Sequence, residues 1–169
     1  TLIWSRLGLT AAVTFATMLF TWAMAIPIGI YSATKQYSLG DYTATFLGFV
    51  GLGVPDFLLA LVAIWIGYQY FGANLTGLNS QEFQTAPLSM AKVIDTIKHL
   101  WVPILVLGLS GTAGLIRTMR ANLLDELRKP YVVTARAKGL KEGRLLRRYP
   151  VRVALNPFVS TIGWSLPGL

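Results

Sequence analysis

The chain has 169 residues, the length of one domain or of part of one. Hydrophobic residues make up 54% of it and charged residues only 13%, with a mean hydropathy of +0.56, whereas an ordinary soluble domain has roughly 25% charged residues. This composition excludes a soluble fold of this size and an intrinsically disordered chain. The absence of cysteine from the sequence excludes a disulfide scaffold and a cysteine-based zinc site. We therefore expect an integral membrane protein.

The positive charge is concentrated in one block. Residues 117–152 contain eleven Lys or Arg residues and three acidic residues, so this block accounts for the whole net charge of +8. Nucleic-acid binding requires such a basic face on a soluble module, but apolar segments flank this block on both sides. The block is therefore predicted to be a cytoplasmic loop, with no nucleic-acid partner.

The first apolar segment covers residues 7–34, which are 28 residues without a charge. About 20 such residues suffice to cross the hydrocarbon core, so a span is predicted at about 8–30. Ala23-Met24-Ala25 resembles a signal-peptidase site, which leaves a cleaved signal peptide as an alternative. The apolar run continues beyond this tripeptide to Ile30, and this favours the span.

A short polar turn at residues 35–41 precedes a second apolar segment, residues 42–72, in which Asp56 is the single charge. One helix over this segment would be about 46 Å long, too long for one straight crossing. Gly53 and Pro55 mark the place where a break is least costly. We expect a short helix to about Gly53 and a spanning helix over about 55–72.

The positive-inside rule orients the remaining segments. With residues 117–152 in the cytoplasm, the uncharged stretches 100–116 and 153–169 are predicted spans and residues 73–99 form an external loop. A short amphipathic helix is expected near the end of that loop, because Leu88, Ala91, Ile94 and Ile97 have helical spacing. The chain starts at Thr1 and stops inside an uncharged run, so we expect it to be the central part of a longer protein.

Within the basic block, apolar residues from Ile116 to Leu127 recur at helical spacing, which predicts an amphipathic helix that continues the preceding span and ends before Pro130. A short helix through Lys138 is expected next, closed by Gly139 in the left-handed conformation. A second short helix should follow over about 141–149.

Two interpretations of this helix–glycine–helix elbow remain open from the residues alone. Ala135 and Ala137 have small side chains, so the surface of a soluble partner could approach the backbone, with Arg136, Lys138 and Lys141 supplying charge around the contact. Alternatively, the elbow is a solvated basic loop that fixes the topology and touches anionic lipid.

Residues 125–140, Asp-Glu-Leu-Arg-Lys-Pro-Tyr-Val-Val-Thr-Ala-Arg-Ala-Lys-Gly-Leu, followed by Arg152, Ala154 and Pro157, resemble the cytoplasmic signature loop of ATP-binding-cassette importer permeases. The similarity is to the dipeptide/oligopeptide/nickel branch. Val133-Thr134-Ala135 stands where the wider superfamily has Glu-Ala-Ala. The resemblance implies an all-α, polytopic transmembrane bundle of the type I (MetI-like) kind, here a fragment with about four spans.

The resemblance also implies a mechanism. The chain would be the translocation subunit of an ATP-driven, binding-protein-dependent importer in a bacterial or archaeal plasma membrane, for peptides or similar small solutes. Implied partners are ATPase subunits, a second permease subunit, an external substrate-binding protein and membrane lipid. The implied coupling helix, which docks on the ATPase, consists of Val133, Thr134, Ala135, Arg136, Ala137, Lys138, Gly139 and Leu140.

We expect no catalytic residue, metal site or cofactor in this chain. It has no GxxxxGK[ST] phosphate loop, and its single histidine, His99, has no evident triad partner. ATP hydrolysis is accordingly expected on the partner subunits. Two other classes are alternatives: a secondary transporter or channel, which usually needs more intramembrane charge, and a membrane-anchored protein that binds lipid or nucleic acid through the basic loop.

Two features of the spans have alternative interpretations. Asp56 either caps the helix that starts there or contacts substrate or a gate in the translocation path. Gly108, Gly111 and Gly114 either permit close helix packing or line the path.

Overall fold

The structure is a computed structural model that describes residues 2–71 and 89–165. Residues 73–88 of the predicted external loop and 166–169 of the last predicted span lie outside the described residues. The described part is helical and contains no strand. Its elements are α1 (Leu2–Thr34), α2 (Leu39–Gly53), α3 (Asp56–Phe71), α4 (Met90–Leu127), α5 (Pro130–Ala137), α6 (Glu142–Arg148), α7 (Pro150–Ala154) and α8 (Asn156–Ser165).

The break predicted in the second apolar segment is present. Helix α2 ends at Gly53 and α3 begins at Asp56, so Val54 and Pro55 form the junction. The carbonyl oxygen of Pro55 accepts hydrogen bonds from the N–H groups of Leu58 (2.9 Å) and Leu59 (3.2 Å), which makes Pro55 the residue that opens α3. The prediction of a short helix followed by a second helix is therefore confirmed.

Helix α4 is longer than the predicted span. It begins at Met90, ten residues before position 100, and includes Ala91, Ile94 and Ile97 of the amphipathic piece expected near the end of the external loop, whereas Leu88 lies outside the described residues. It then continues to Leu127, which confirms that the apolar stretch and the following amphipathic stretch form one helix. The segments before and after position 100 lie in the same helix because apolar residues recur at helical spacing in both.

One helix segment, Thr10–Thr34, is long and apolar enough by itself to cross a membrane. The pair α2 and α3 and the pair Ile94–Trp101 and Ile104–Leu127 meet the same criteria only as bent pairs, so the described residues supply between one and three candidate spans. Many large apolar side chains on α2 and α3 are exposed, among them Phe46, Phe57 and Trp65. Such surfaces suit contact with lipid or with other helices.

The chain divides into two compact units. The first comprises residues 1–21 and 51–111. In it, a Cβ on Gly108 would lie 2.5 Å from the ring of Phe20, so only glycine allows this approach. The hydroxyl of Thr21 donates hydrogen bonds to the carbonyl oxygens of Thr17 (2.8 Å) and Gly108 (3.4 Å). Close packing at a glycine is thus confirmed at Gly108.

The second unit comprises residues 22–50 and 112–169 and contains the basic loop. Within it α1 and α4 approach closely, because a Cβ on Gly29 would lie only 2.6 Å from the Cβ of Met119. The rings of Trp22 and Phe158 pack edge to face, with their centroids 5.9 Å apart. The core of this unit consists of Ala25, Ala33, Ile116, Met119, Leu123, Ala154 and Phe158.

Candidate functional site: the α5–α6 elbow

The elbow comprises α5, the turn 138–141 and α6, and its ends follow from local stereochemistry. Pro130 occupies the first turn of α5, where a missing N–H costs no hydrogen bond. At the other end Gly139 has φ +78°, its N–H donates to the carbonyl of Arg136 (3.0 Å), and the N–H of Leu140 donates to that of Ala135 (3.4 Å). These two bonds form a Schellman motif, which requires the left-handed conformation that glycine adopts most readily.

A small apolar cluster joins the two helices of the elbow. Val132 and Leu145 are completely buried and Ala135 is 8% exposed, with Leu127 and Leu140 packed against them. The small side chain of Ala135 therefore lies inside the elbow, facing α6, whereas Ala137 is exposed. Of the two alanines singled out in the sequence, only Ala137 lies on the surface of the chain.

The outer face of α5 is open. Val133, Thr134, Arg136, Ala137 and Lys138 are exposed, and Leu140 is half-buried. The Arg136 guanidinium pairs with the Glu142 carboxylate (2.5 Å), which ties the end of α5 to the start of α6. This hydrogen bond and charge lower the pKa of Glu142 and raise that of Arg136. Both side chains are about half exposed, so the pair contributes little to stability.

A polar contact holds the start of α5 against the end of α4. The Glu126 carboxylate, on a residue 7% exposed, accepts hydrogen bonds from the Lys129 ammonium and the Tyr131 hydroxyl, both at 2.5 Å. Partial desolvation of the hydroxyl, and then this hydrogen bond to Glu126, raise the pKa of Tyr131 to about 12. The Tyr131 ring also contacts the Tyr149 ring, with centroids 6.5 Å apart.

A buried ion pair links α4 to α2 and α1 in the same unit. Asp41, 3% exposed, accepts hydrogen bonds from Arg120 on both carboxylate oxygens, each at 3.0 Å. It also accepts from the Ser32 hydroxyl and from the N–H of Tyr37 (2.9 Å), whose φ is +62°. We call Asp41, Arg120 and Ser32 the α4 brace.

The α4 brace is not predicted by the sequence. A local signal did exist, because Ser38 precedes Asp41 by three residues and its hydroxyl accepts the Asp41 N–H (3.2 Å), the pattern that opens a helix. That signal marks the start of α2 but says nothing of Arg120, which is 79 residues away along the chain.

Asp56 lies at the first residue of α3, with its side chain exposed. A carboxylate in the first turn is favoured by the positive end of the helix dipole. Pro55, one position earlier, opens the helix, and a role of Asp56 in stabilising the start of α3 stays a prediction. A contact of Asp56 with substrate or a gate stays a prediction.

In residues 2–71 and 89–165 no three His, Cys, Asp or Glu residues are grouped so as to hold a metal ion. His99 is engaged within α4, where Nδ1 is 2.8 Å from the carbonyl oxygen of Asp95 and 3.6 Å from its carboxylate.

Comparison with known proteins gives consistent matches. Residues 25–169 match the family described as "Binding-protein-dependent transport system inner membrane component". The chain is 36% identical over 166 residues to the oligopeptide transport system permease protein AppB of Bacillus subtilis, covering 98% of this chain and 51% of the relative. It is 30% identical over 176 residues to the dipeptide transport system permease protein DppB of Escherichia coli K12, covering 94% and 51%. The chain thus spans about half the length of the curated relatives it matches.

Proposed function

Because the chain belongs to the family of inner membrane components of binding-protein-dependent transport systems, and so resides in a membrane, we propose that it forms the central part of a translocation subunit of an ATP-driven importer. Peptides or similar small solutes are the proposed cargo, since the similar proteins of Bacillus subtilis and Escherichia coli are named for oligopeptide and dipeptide transport.

The observation that carries the proposal is the elbow itself. Its exposed residues, Val133, Thr134, Arg136, Ala137 and Lys138, form the docking surface proposed for a separate ATPase subunit. Gly139 supplies the turn, while Ala135 and Leu140 support the surface from inside the elbow. Because α5 is packed on its other side through Val132 and Ala135 and is capped at Gly139, its docking surface can transmit a displacement without unfolding.

The attachment of the elbow to α4 gives the displacement a path. Motion of α5 passes to α4 through Leu127 and through Glu126, which hold the start of α5. The α4 brace then connects α4 with α1 and α2. Closure of an ATPase dimer would thus move several helices together, as the switch from an inward-facing to an outward-facing path requires.

The proposed arrangement in the membrane follows the charge distribution. Residues 117–152 face the cytoplasm, residues 73–99 face outward, and the chain crosses the membrane several times, at about 8–30, 55–72, 100–116 and 153–169. The proposed partners are ATPase subunits, which hydrolyse ATP, a second copy or homologue of the permease, a substrate-binding protein on the outer side, and membrane lipid. The chain itself is proposed to perform no covalent chemistry and to hold no cofactor.

Site-directed crosslinking in the full-length permease assembled with its ATPase tests the proposal. A cysteine at Ala137, exposed at the end of α5, should crosslink to the ATPase subunit, whereas a cysteine at Tyr68, exposed near the predicted outer end of α3, should not. Ala137 is the better probe than Ala135, because the latter is buried against α6. Crosslinking from Tyr68→Cys alone, or from neither position in an assembly that hydrolyses ATP, would refute the docking role.

A further inference from the structure

Four arginines on α6 and α7 line one open hollow of about 430 Å³. Arg144, Arg147 and Arg148 are spaced i, i+3 and i+4 and therefore share one face of α6. Arg152 reaches the hollow from α7, which begins at Pro150 immediately after α6 ends. We call these four residues the arginine hollow.

Among the described residues, no acidic side chain pairs with the arginine hollow. The one acid on α6, Glu142, is paired with Arg136. The Nε of Arg147 donates to the carbonyl oxygen of Gly143 (3.2 Å), which leaves its terminal nitrogens for other acceptors. Like charges three and four residues apart on a helix repel one another, so a bound anion would relieve this repulsion.

Geometry and position select the kind of anion. Guanidinium groups donate pairs of parallel hydrogen bonds that match the oxygens of a phosphate. The hollow also stands directly before the uncharged stretch 153–165, whose Val153 and Val159 are exposed and apolar. Clusters of four or more basic residues immediately cytoplasmic of a span are typical of sites for anionic lipid headgroups.

We propose that the arginine hollow binds the phosphate of an anionic phospholipid of the cytoplasmic leaflet, with the acyl chains lying along α8. This inference rests on the cytoplasmic placement of residues 117–152 in the proposed function. A lipid is favoured over an acidic surface of the ATPase because the apolar stretch follows the hollow within one residue. The bound headgroup holds α6 at the membrane surface, and through the buried contacts of Leu145 with Val132 and Ala135 it holds the elbow at a fixed depth.

Lipid binding to the purified full-length permease in detergent tests the proposal. Native mass spectrometry would count the adducts formed with phosphatidylglycerol, phosphatidylcholine and inorganic phosphate, each titrated separately. The wild type should bind phosphatidylglycerol in preference to phosphatidylcholine. The double variant Arg147→Gln, Arg148→Gln should bind phosphatidylglycerol about 30-fold more weakly, since each basic residue near a membrane surface contributes about a factor of five.

A matched control removes the same charge elsewhere. Lys35→Gln with Arg128→Gln takes two exposed positive charges from outside the hollow and should leave binding within about twofold of the wild type. The charge-preserving variant Arg147→Lys, Arg148→Lys should lose less than the glutamine variant, because it keeps the charge and loses only the paired hydrogen bonds. The helix content measured by far-UV circular dichroism checks that each variant is folded.

Four results would overturn the proposal. Equal weakening by Arg147→Gln, Arg148→Gln and by the control Lys35→Gln, Arg128→Gln would mean that the total charge of the protein decides the binding. Equal binding of phosphatidylglycerol and phosphatidylcholine would mean that the net negative charge of the headgroup is not recognised. Competition by inorganic phosphate at the same concentration as the lipid would identify a site for soluble phosphate. Loss of ATPase co-purification in Arg147→Gln, Arg148→Gln with unchanged lipid binding would identify an ATPase contact. Crosslinking from Ala137→Cys is measured independently, so failure of the lipid site and failure of the docking role are distinguishable.

Discussion

The α4 brace is a buried ion pair in the second unit, and the substitution Asp41→Asn tests it. The change keeps the shape of the side chain but removes its charge and replaces one carboxylate oxygen by an NH₂ group. Arg120 then loses its buried counter-charge. With the amide in either orientation, two of the four donors that now point at Asp41 face another donor.

The magnitude follows from the burial of the two partners. Removing one member of a fully buried ion pair costs about 3–5 kcal/mol. The side chain of Asp41 is 5% exposed and that of Arg120 is 29% exposed, so water partly compensates the arginine. We expect Asp41→Asn to lower the free energy of unfolding by about 3 kcal/mol, at the lower end of that range.

Denaturant titration of the full-length permease in detergent, followed by circular dichroism, measures this change. A double-mutant cycle with Asp41→Asn and Arg120→Met isolates the coupling between the two side chains, which should reach about 2 kcal/mol. Arg136→Gln with Glu142→Gln is the control cycle, because that pair is exposed and should give no resolvable coupling. A coupling in the brace that is no larger than in the control would refute our account of α4.

Two further predictions concern the elbow. Gly139→Val should raise the amount of ATP hydrolysed per solute transported, because a β-branched residue at φ +78° costs about 1–2 kcal/mol of backbone strain. Asparagine tolerates this conformation, so the ratio of ATP hydrolysed to solute transported in Gly139→Asn should remain closer to that of the wild type. A Cβ at Gly139 meets nothing within 4 Å in the chain, so the backbone alone causes the effect, and equal coupling ratios in both variants would contradict it. The second prediction concerns pH. The fold raises the pKa of Tyr131 from 10.0 to about 12. The protonated Tyr131 hydroxyl therefore stabilises the elbow fully below pH 10, and this stabilisation is lost as pH rises through 12. The tyrosinate absorbance of the wild type minus that of Tyr131→Phe should have its midpoint near pH 12, and a midpoint near 10 would show that the ring is solvated.

The sequence determined the features that depend on local stereochemistry. Pro130 and Gly139 bound α5 because one residue has no N–H to donate and the other adopts a positive φ without steric cost. Gly53 and Pro55 separate α2 from α3 for the same kind of reason. Helical apolar spacing was enough for the continuity of α4 beyond residue 116, although it placed the start of that helix ten residues too late. The all-α class followed from the resemblance of residues 125–140 to importer permeases.

The tertiary structure alone decided which distant residues meet. Asp41 and Arg120 pair because α1, α2 and α4 pack together, and no pattern in the sequence encodes a partner 79 residues away. Ala135 and Ala137 are equally small in the sequence, yet packing on Leu145 buries the first and leaves the second exposed. In the sequence, the four arginines of the hollow are part of a dispersed run of basic residues, and only the packing of α7 after α6 places all four around one space. Local backbone preferences act over a few residues, whereas burial and charge pairing depend on the fold as a whole.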